Sequence, residues 1–108
     1  MNIPDKHVEH ALEILKSSDA AAARAAYEYA EKHLKVVLAR ETRLSNLKTA
    51  AERDAAALCS DAYREALENY GQLAEVYFAA KDRREAAMAV IEAWRTVNAN
   101  ARSMERVR

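Results

Sequence analysis

From Ser60 to the C-terminal Arg108 the chain contains no proline and a single glycine, Gly71, while tyrosines recur at 63, 70 and 77. A spacing of seven returns a side chain to the same stripe of a helix packed against another helix. The pattern predicts one continuous helix over 61–102. A helix of about 40 residues is about 60 Å long, whereas a compact domain of about this size has a radius of gyration of about 13 Å. Such a chain is expected to form an elongated helical hairpin, or a bundle that other chains complete, rather than a compact ball.

The remaining sequence divides at three places. Pro4 is tolerated in a first helical turn, because its missing N–H would be unpaired there anyway, and a helix is expected over 4–17. Ser17, Ser18 and Asp19 offer N-caps for a second helix over 19–45. Its seam runs through Ala23, Tyr27, Ala30, Leu34, Val37, Glu41 and Leu44 in alternating steps of four and three. Thr49 with Glu52 three residues on is a capping box for a short helix over 50–58, and Ser60 with Asp61 caps the last one. The last seam reads Tyr63, Ala66, Tyr70, Leu73, Tyr77, Ala80, Arg84, Ala87, Ile91, Trp94, Asn98 and Ala101.

Residues 4–45 match 61–102 in length, so the first two helices, kinked at Ser17–Asp19, are expected to run antiparallel to the last. The fold class is therefore an all-α antiparallel helical hairpin with a kinked first arm, forming a single domain over 1–108. On this register Leu44 faces Tyr63 and Leu67, Tyr27 lies near Ala80, and Val8, Leu12 and Leu15 cover Ile91 and Trp94.

Alanine accounts for 25 of the 108 residues. It forms helix well but buries little area, so the seams are thin. A homodimer with a four-helix arrangement is the expected way to complete them. Lys+Arg and Asp+Glu balance at 17 each, which gives no overall field toward nucleic acid or an anionic membrane. The balance is uneven, however, and Arg102, Arg106 and Arg108 gather at the end. A helix C-terminus favours such cations through its dipole; a small anion- or nucleic-acid-contacting tip is the alternative. One cysteine, Cys59, forms no internal disulfide and suits a reducing compartment. No apolar run approaches membrane-spanning length, and the opening residues lack a basic-then-apolar signal layout. A soluble, cytoplasmic protein is expected.

Little in the sequence points to catalysis. His7, His10 and Glu13 are metal-ligand types, but His7 and Glu13 lie about 240° apart around a helix and cannot converge. Cys59 precedes a helix N-terminus, where a thiol can be activated, yet no histidine is near it in sequence, and a buried or half-buried thiol at a turn is the expectation. One glycine leaves no phosphate-binding loop. The carboxylates fall beside cations on outward faces, as with Glu28 and Lys32 or Glu31 and Lys35. No enzyme activity, metal or cofactor is expected. Tyr63, Tyr70 and Tyr77 read as seam residues rather than base-stacking platforms, because Glu65, Glu68 and Glu75 surround them. Arg84 and Asn98 are polar residues in seam positions, which set register or mark where the seam opens; in the second case Arg83 and Arg84 are placed for an acidic partner.

The segments AERDAAALCSDAYREAL (51–67) and RREAAMAVIEAWRTVNANAR (83–102) resemble a group of small alanine-rich helical proteins of phages and prophages. The shared pattern is Glu52, Arg53, Ala57, Ser60 and Tyr63, then Glu92, Trp94, Arg95 and Thr96, then Asn100 and Arg102. The resemblance implies an accessory role near phage DNA recombination or replication, in a bacterial host's cytoplasm. It supplies no active site. The expected function is non-enzymatic, through helix-face protein–protein contacts, with Arg84, Trp94, Arg95, Thr96, Arg102, Arg106 and Arg108 as contact residues. The alternatives are direct nucleic-acid binding by the basic C-terminal end and inhibition of a host defence complex by protein binding.

Overall fold

The computed structural model describes residues 3–107, of which Val107 by its backbone alone. The chain is all-helical, with no strand among the described residues. Among those residues four helices follow one another: α1 (Asp5–Lys16), α2 (Asp19–Leu44), α3 (Ala50–Leu58) and α4 (Asp61–Val107). α4 runs five residues past the expected 102 because Ser103, Met104, Glu105 and Arg106 include neither proline nor glycine to stop it.

Local chemistry explains each boundary. Pro4 accepts hydrogen bonds from the His7 and Val8 N–H groups and opens α1. Ser17 leaves the helical region at φ −67°, ψ 143°, and its Oγ accepts the Asp19 N–H at 3.1 Å to start α2. Thr49 Oγ1 accepts the Glu52 N–H at 3.1 Å, the expected cap of α3. Ser60 bridges the last turn: its Oγ donates to the Ala57 carbonyl at 2.7 Å and accepts the Tyr63 N–H at 3.2 Å.

The contacts group into two units, one formed by Ala21–Phe78 and the other by Met1–Ala20 with Ala79–Arg108. α4 contributes its first part to the one and its remainder to the other. In the Ala21–Phe78 unit, Ala30, Val37, Ala57 and Ala66 are buried, and Tyr27 packs on Tyr70, Tyr77 and Phe78. In the other unit, Val8, Ala11, Ala87 and Ile91 form the buried cluster, with Ile3, Ile14, Leu15 and Val90 packed on it. Leu15 meets Arg84, so higher numbers on α1 meet lower ones on α4 and the two helices run antiparallel. Among the described residues, five of the eight buried apolar ones are alanine, and the largest side chain buried to below 2 % exposure is Val37. Full burial of a valine side chain contributes about 1.5 to 3 kcal/mol, and an alanine methyl far less.

Three packing expectations are corrected. Leu12 is 41 % exposed: α1 turns Ala11 toward Ala87, since two methyl side chains let the backbones approach, and Leu12 rotates outward. Trp94 lies outside that cluster, which is flanked by Val90 instead. Leu44 is 71 % exposed and Leu67 is also exposed, because Leu44 is the last residue of α2, where the chain turns away. Tyr27 engages α4 at Tyr70, Tyr77 and Phe78, the last two within one turn of the expected level of Ala80.

Candidate interaction surfaces

The Ala21–Phe78 unit is closed by an aromatic stack. The Tyr27 ring lies 5.3 Å from Tyr70 and 5.1 Å from Tyr77, nearly parallel to both, and meets the edge of Phe78 at 5.7 Å. Such pairs add about 0.5 to 1.5 kcal/mol each beyond area burial. The Tyr70 and Tyr27 hydroxyls share a hydrogen bond of 3.1 Å. Either phenol can donate; with Tyr27 donating, the bond holds its proton above the usual tyrosine range, and partial burial and the charges of Glu31 and Glu28 act in the same direction.

The α3–α4 turn accounts for the first half of the phage-like pattern. Glu52 supplies the capped N–H of α3. Arg53 Nη1 donates to the carbonyls of Leu47 at 2.9 Å and Lys48 at 3.2 Å, tying down the turn before α3. Ala57 is buried, Ser60 caps α4 and Tyr63 provides the capped N–H. Cys59 sits at the same turn, ends α3 and is exposed, contrary to the buried or half-buried thiol expected: it follows the buried Ala57 by two positions, which puts it on the outer side. The ion pairs also differ from expectation. Glu28 pairs with Arg24 at 2.9 Å and Asp61 with Arg64 at 2.9 Å, in place of Glu28 with Lys32 and Glu31 with Lys35. All four side chains are more than half exposed, and exposed pairs exchange partners at little cost.

In the other unit, α1 and α4 flank an apolar groove of about 490 Å³. Ile3, His7, His10 and Ile14 form one wall, Ala86, Ala89, Val90 and Ala93 the other, with Ala11 and Ala87 between them and Arg83 at the edge. The sequence signal for this groove is a second series of apolar residues on α4, displaced by one from the expected seam; alanine's weak hydrophobicity hides it. His7 and His10 thus flank an apolar surface, and Glu13 does not line it. Among the described residues no three His, Cys, Asp or Glu side chains gather as metal ligands would.

Arg84 is exposed, and its Nη1 donates to the Leu15 carbonyl at 3.1 Å. That carbonyl is one of the last four of α1, which lack an intrahelical partner, so a cation here completes the helix end. Trp94, Arg95, Asn98, Ala101 and Arg102 line a shallow recess of about 390 Å³ on α4, with no α1 residue in its walls. Trp94 is 36 % exposed. Thr96 is exposed and its Oγ1 donates to the Glu92 carbonyl at 3.0 Å, and Arg106 is exposed. Arg108 lies outside the described residues. Among those residues, no helix is long and apolar enough to cross a membrane. No protein family, curated protein or solved structure matches the chain.

Proposed function

We propose that this chain is a non-enzymatic accessory protein that works by laying helix faces against another protein. The observation that carries this reading is the Trp94 recess. The Glu52-to-Tyr63 half of the phage-like pattern is used up in holding a turn, whereas Trp94, Arg95 and Arg102 stand at the surface beside Asn98. Tryptophan and arginine are the side chains that most often dominate binding energy at protein interfaces. The resemblance to phage proteins points to a partner in DNA recombination or replication. The elongated hairpin and its dimeric four-helix form belong to this proposal; the antiparallel packing of α1 on α4 supports the hairpin.

A photo-crosslinking residue placed at Arg95 tests it in cells. The expected product joins the chain to one foreign protein, while the same group at Glu68 gives none. With that protein purified, Trp94→Ala weakens binding at least about 30-fold, as for a hot-spot residue. Equal labelling from both positions would sink the idea.

A second reading draws on Arg95, Arg102 and Arg106, all exposed and within about 20° of one line along α4. Such a row suits successive phosphates of a nucleic acid. Fluorescence anisotropy with single- and double-stranded oligonucleotides decides it: binding that falls steeply with salt supports it, and absence of binding at low salt removes it.

A further inference from the structure

On α4, Ala79, Arg83, Ala86, Val90, Ala93, Val97, Asn100 and Met104 recur in alternating steps of four and three. This is the spacing of a helix-packing seam, and it lies one residue away from the seam that α1 covers at Ala87 and Ile91. On α1, His7, His10 and Ile14 follow the same alternation, with Ile3 just before the helix, and these residues line the apolar groove together with Arg83, Ala86, Val90 and Ala93 of the α4 stripe. Two packed helices that both present such a stripe offer a seat for a third.

We propose that the third helix is α4 of a second copy, lying antiparallel, so that the α1 and α4 helices of two chains build one four-helix bundle. The stripe is complementary to itself in that direction. Centred between Val90 and Ala93, it sets Ala86 opposite Val97, Ala79 opposite Met104 and Val90 opposite Ala93, a small side chain against a larger one each time. Arg83 then meets Asn100. A parallel pairing would set Arg83 against itself and gather Arg95, Arg102 and Arg106 of both copies at one end, with the helix dipoles aligned unfavourably.

The surface area agrees. The chain exposes 8474 Å² where a folded monomer of its mass exposes about 6,000 Å². A standard interface removes about 800 Å² per partner, well within that surplus. Arg95 and Arg102 lie about 160° to 180° around α4 from Ala86, so the pairing leaves them at the surface.

Sedimentation equilibrium on the full chain tests the proposal. The wild type is expected to be a dimer. Ala93→Glu, at an exposed groove position, raises the dissociation constant at least about 100-fold by burying unpaired charge, with helicity retained by circular dichroism. Arg95→Glu, on the far side, leaves it unchanged. In a Cys59→Ser background, Ala86→Cys and Val97→Cys chains mixed under oxidation cross-link to each other rather than each to itself. A monomeric wild type, a dimer indifferent to Ala93→Glu, or self-linking of Ala86→Cys would overturn the proposal. A monomer would also remove the dimeric form proposed above, whereas the Trp94-side contact, tested by the cross-link from Arg95, stands or falls separately.

Discussion

The two units use the same helix, α4, in opposite ways. Along Tyr63–Phe78 it presents rings, and α2 answers with Tyr27, so stacked aromatic area and a hydroxyl pair close the contact. Along Ala87–Ile91 it presents no ring, only the Ala87 methyl and the aliphatic Val90 and Ile91, and α1 answers with Val8 and Ala11. Methyl-sized side chains let the helices approach closely but bury little apolar surface, and an apolar groove is left open beside them. A seam built from rings supplies its own area. A ringless seam with Ala11 and Ala87 at its centre is close-fitting and incomplete.

Tyr27→Ala gives the largest effect, a loss of about 3 kcal/mol, the low end for aromatic truncations, because Tyr27 is half-buried. Amide hydrogen exchange is expected to quicken in α2 and the first turns of α4, with α1 unchanged; equal loss in α1 would mean the two units are one cooperative block. Ile91→Ala is the mirror experiment, costing about 2 kcal/mol and exposing α1 amides while those around Val37 stay protected. Arg53→Ala removes hydrogen bonds to two carbonyls and is expected to lower the melting free energy by about 1 kcal/mol. Arg84→Ala, which removes one exposed bond, costs about half as much.

Tyr70→Phe is the smallest change at neutral pH and the most diagnostic at alkaline pH. Tyr27 holds its proton above the ordinary value through its bond with Tyr70. The folded state therefore binds that proton more tightly than the unfolded chain does. The resulting stability is complete below about pH 10, the unfolded tyrosine value, and is lost as pH rises through the higher folded one. Thermal melts above pH 10 should show the wild type losing stability faster than Tyr70→Phe, and parallel curves would refute the coupling.

The helix boundaries were legible because caps are local: Thr49 with Glu52, Ser17 with Asp19 and Ser60 with Tyr63 act within three residues. The seam through Tyr27, Ala30 and Val37 was legible because large and small apolar residues alternate there without competitors. On α1 the spacing left a choice, since Val8 can be followed by Ala11 or by Leu12 and both satisfy a helical stripe. Hydrophobicity favours leucine; the alanine at position 87 of the partner helix decides for Ala11. Arg84 is similar. Its seam position was visible, but its role at the end of α1 depends on a carbonyl 69 residues away. The recess at Trp94 was legible only as residues that packing did not require.

The Ala21–Phe78 unit is one unbroken stretch of chain, whereas the other joins residues from both flanks of it. The Tyr27–Tyr70 contact closes a loop of 43 residues and Leu15–Arg84 one of 69. Loop entropy separates these by only about 0.4 kcal/mol, too little to set an order. Synthesis sets one. α1 leaves the ribosome before α2, α3 and α4 and must wait until α4 is made as far as Ile91, at about 5 to 20 residues per second. During those seconds Val8, Ala11 and Ile14 have no surface to bury against, while the tyrosine stack can already assemble. The earliest of the four helices is thus the last to find its place.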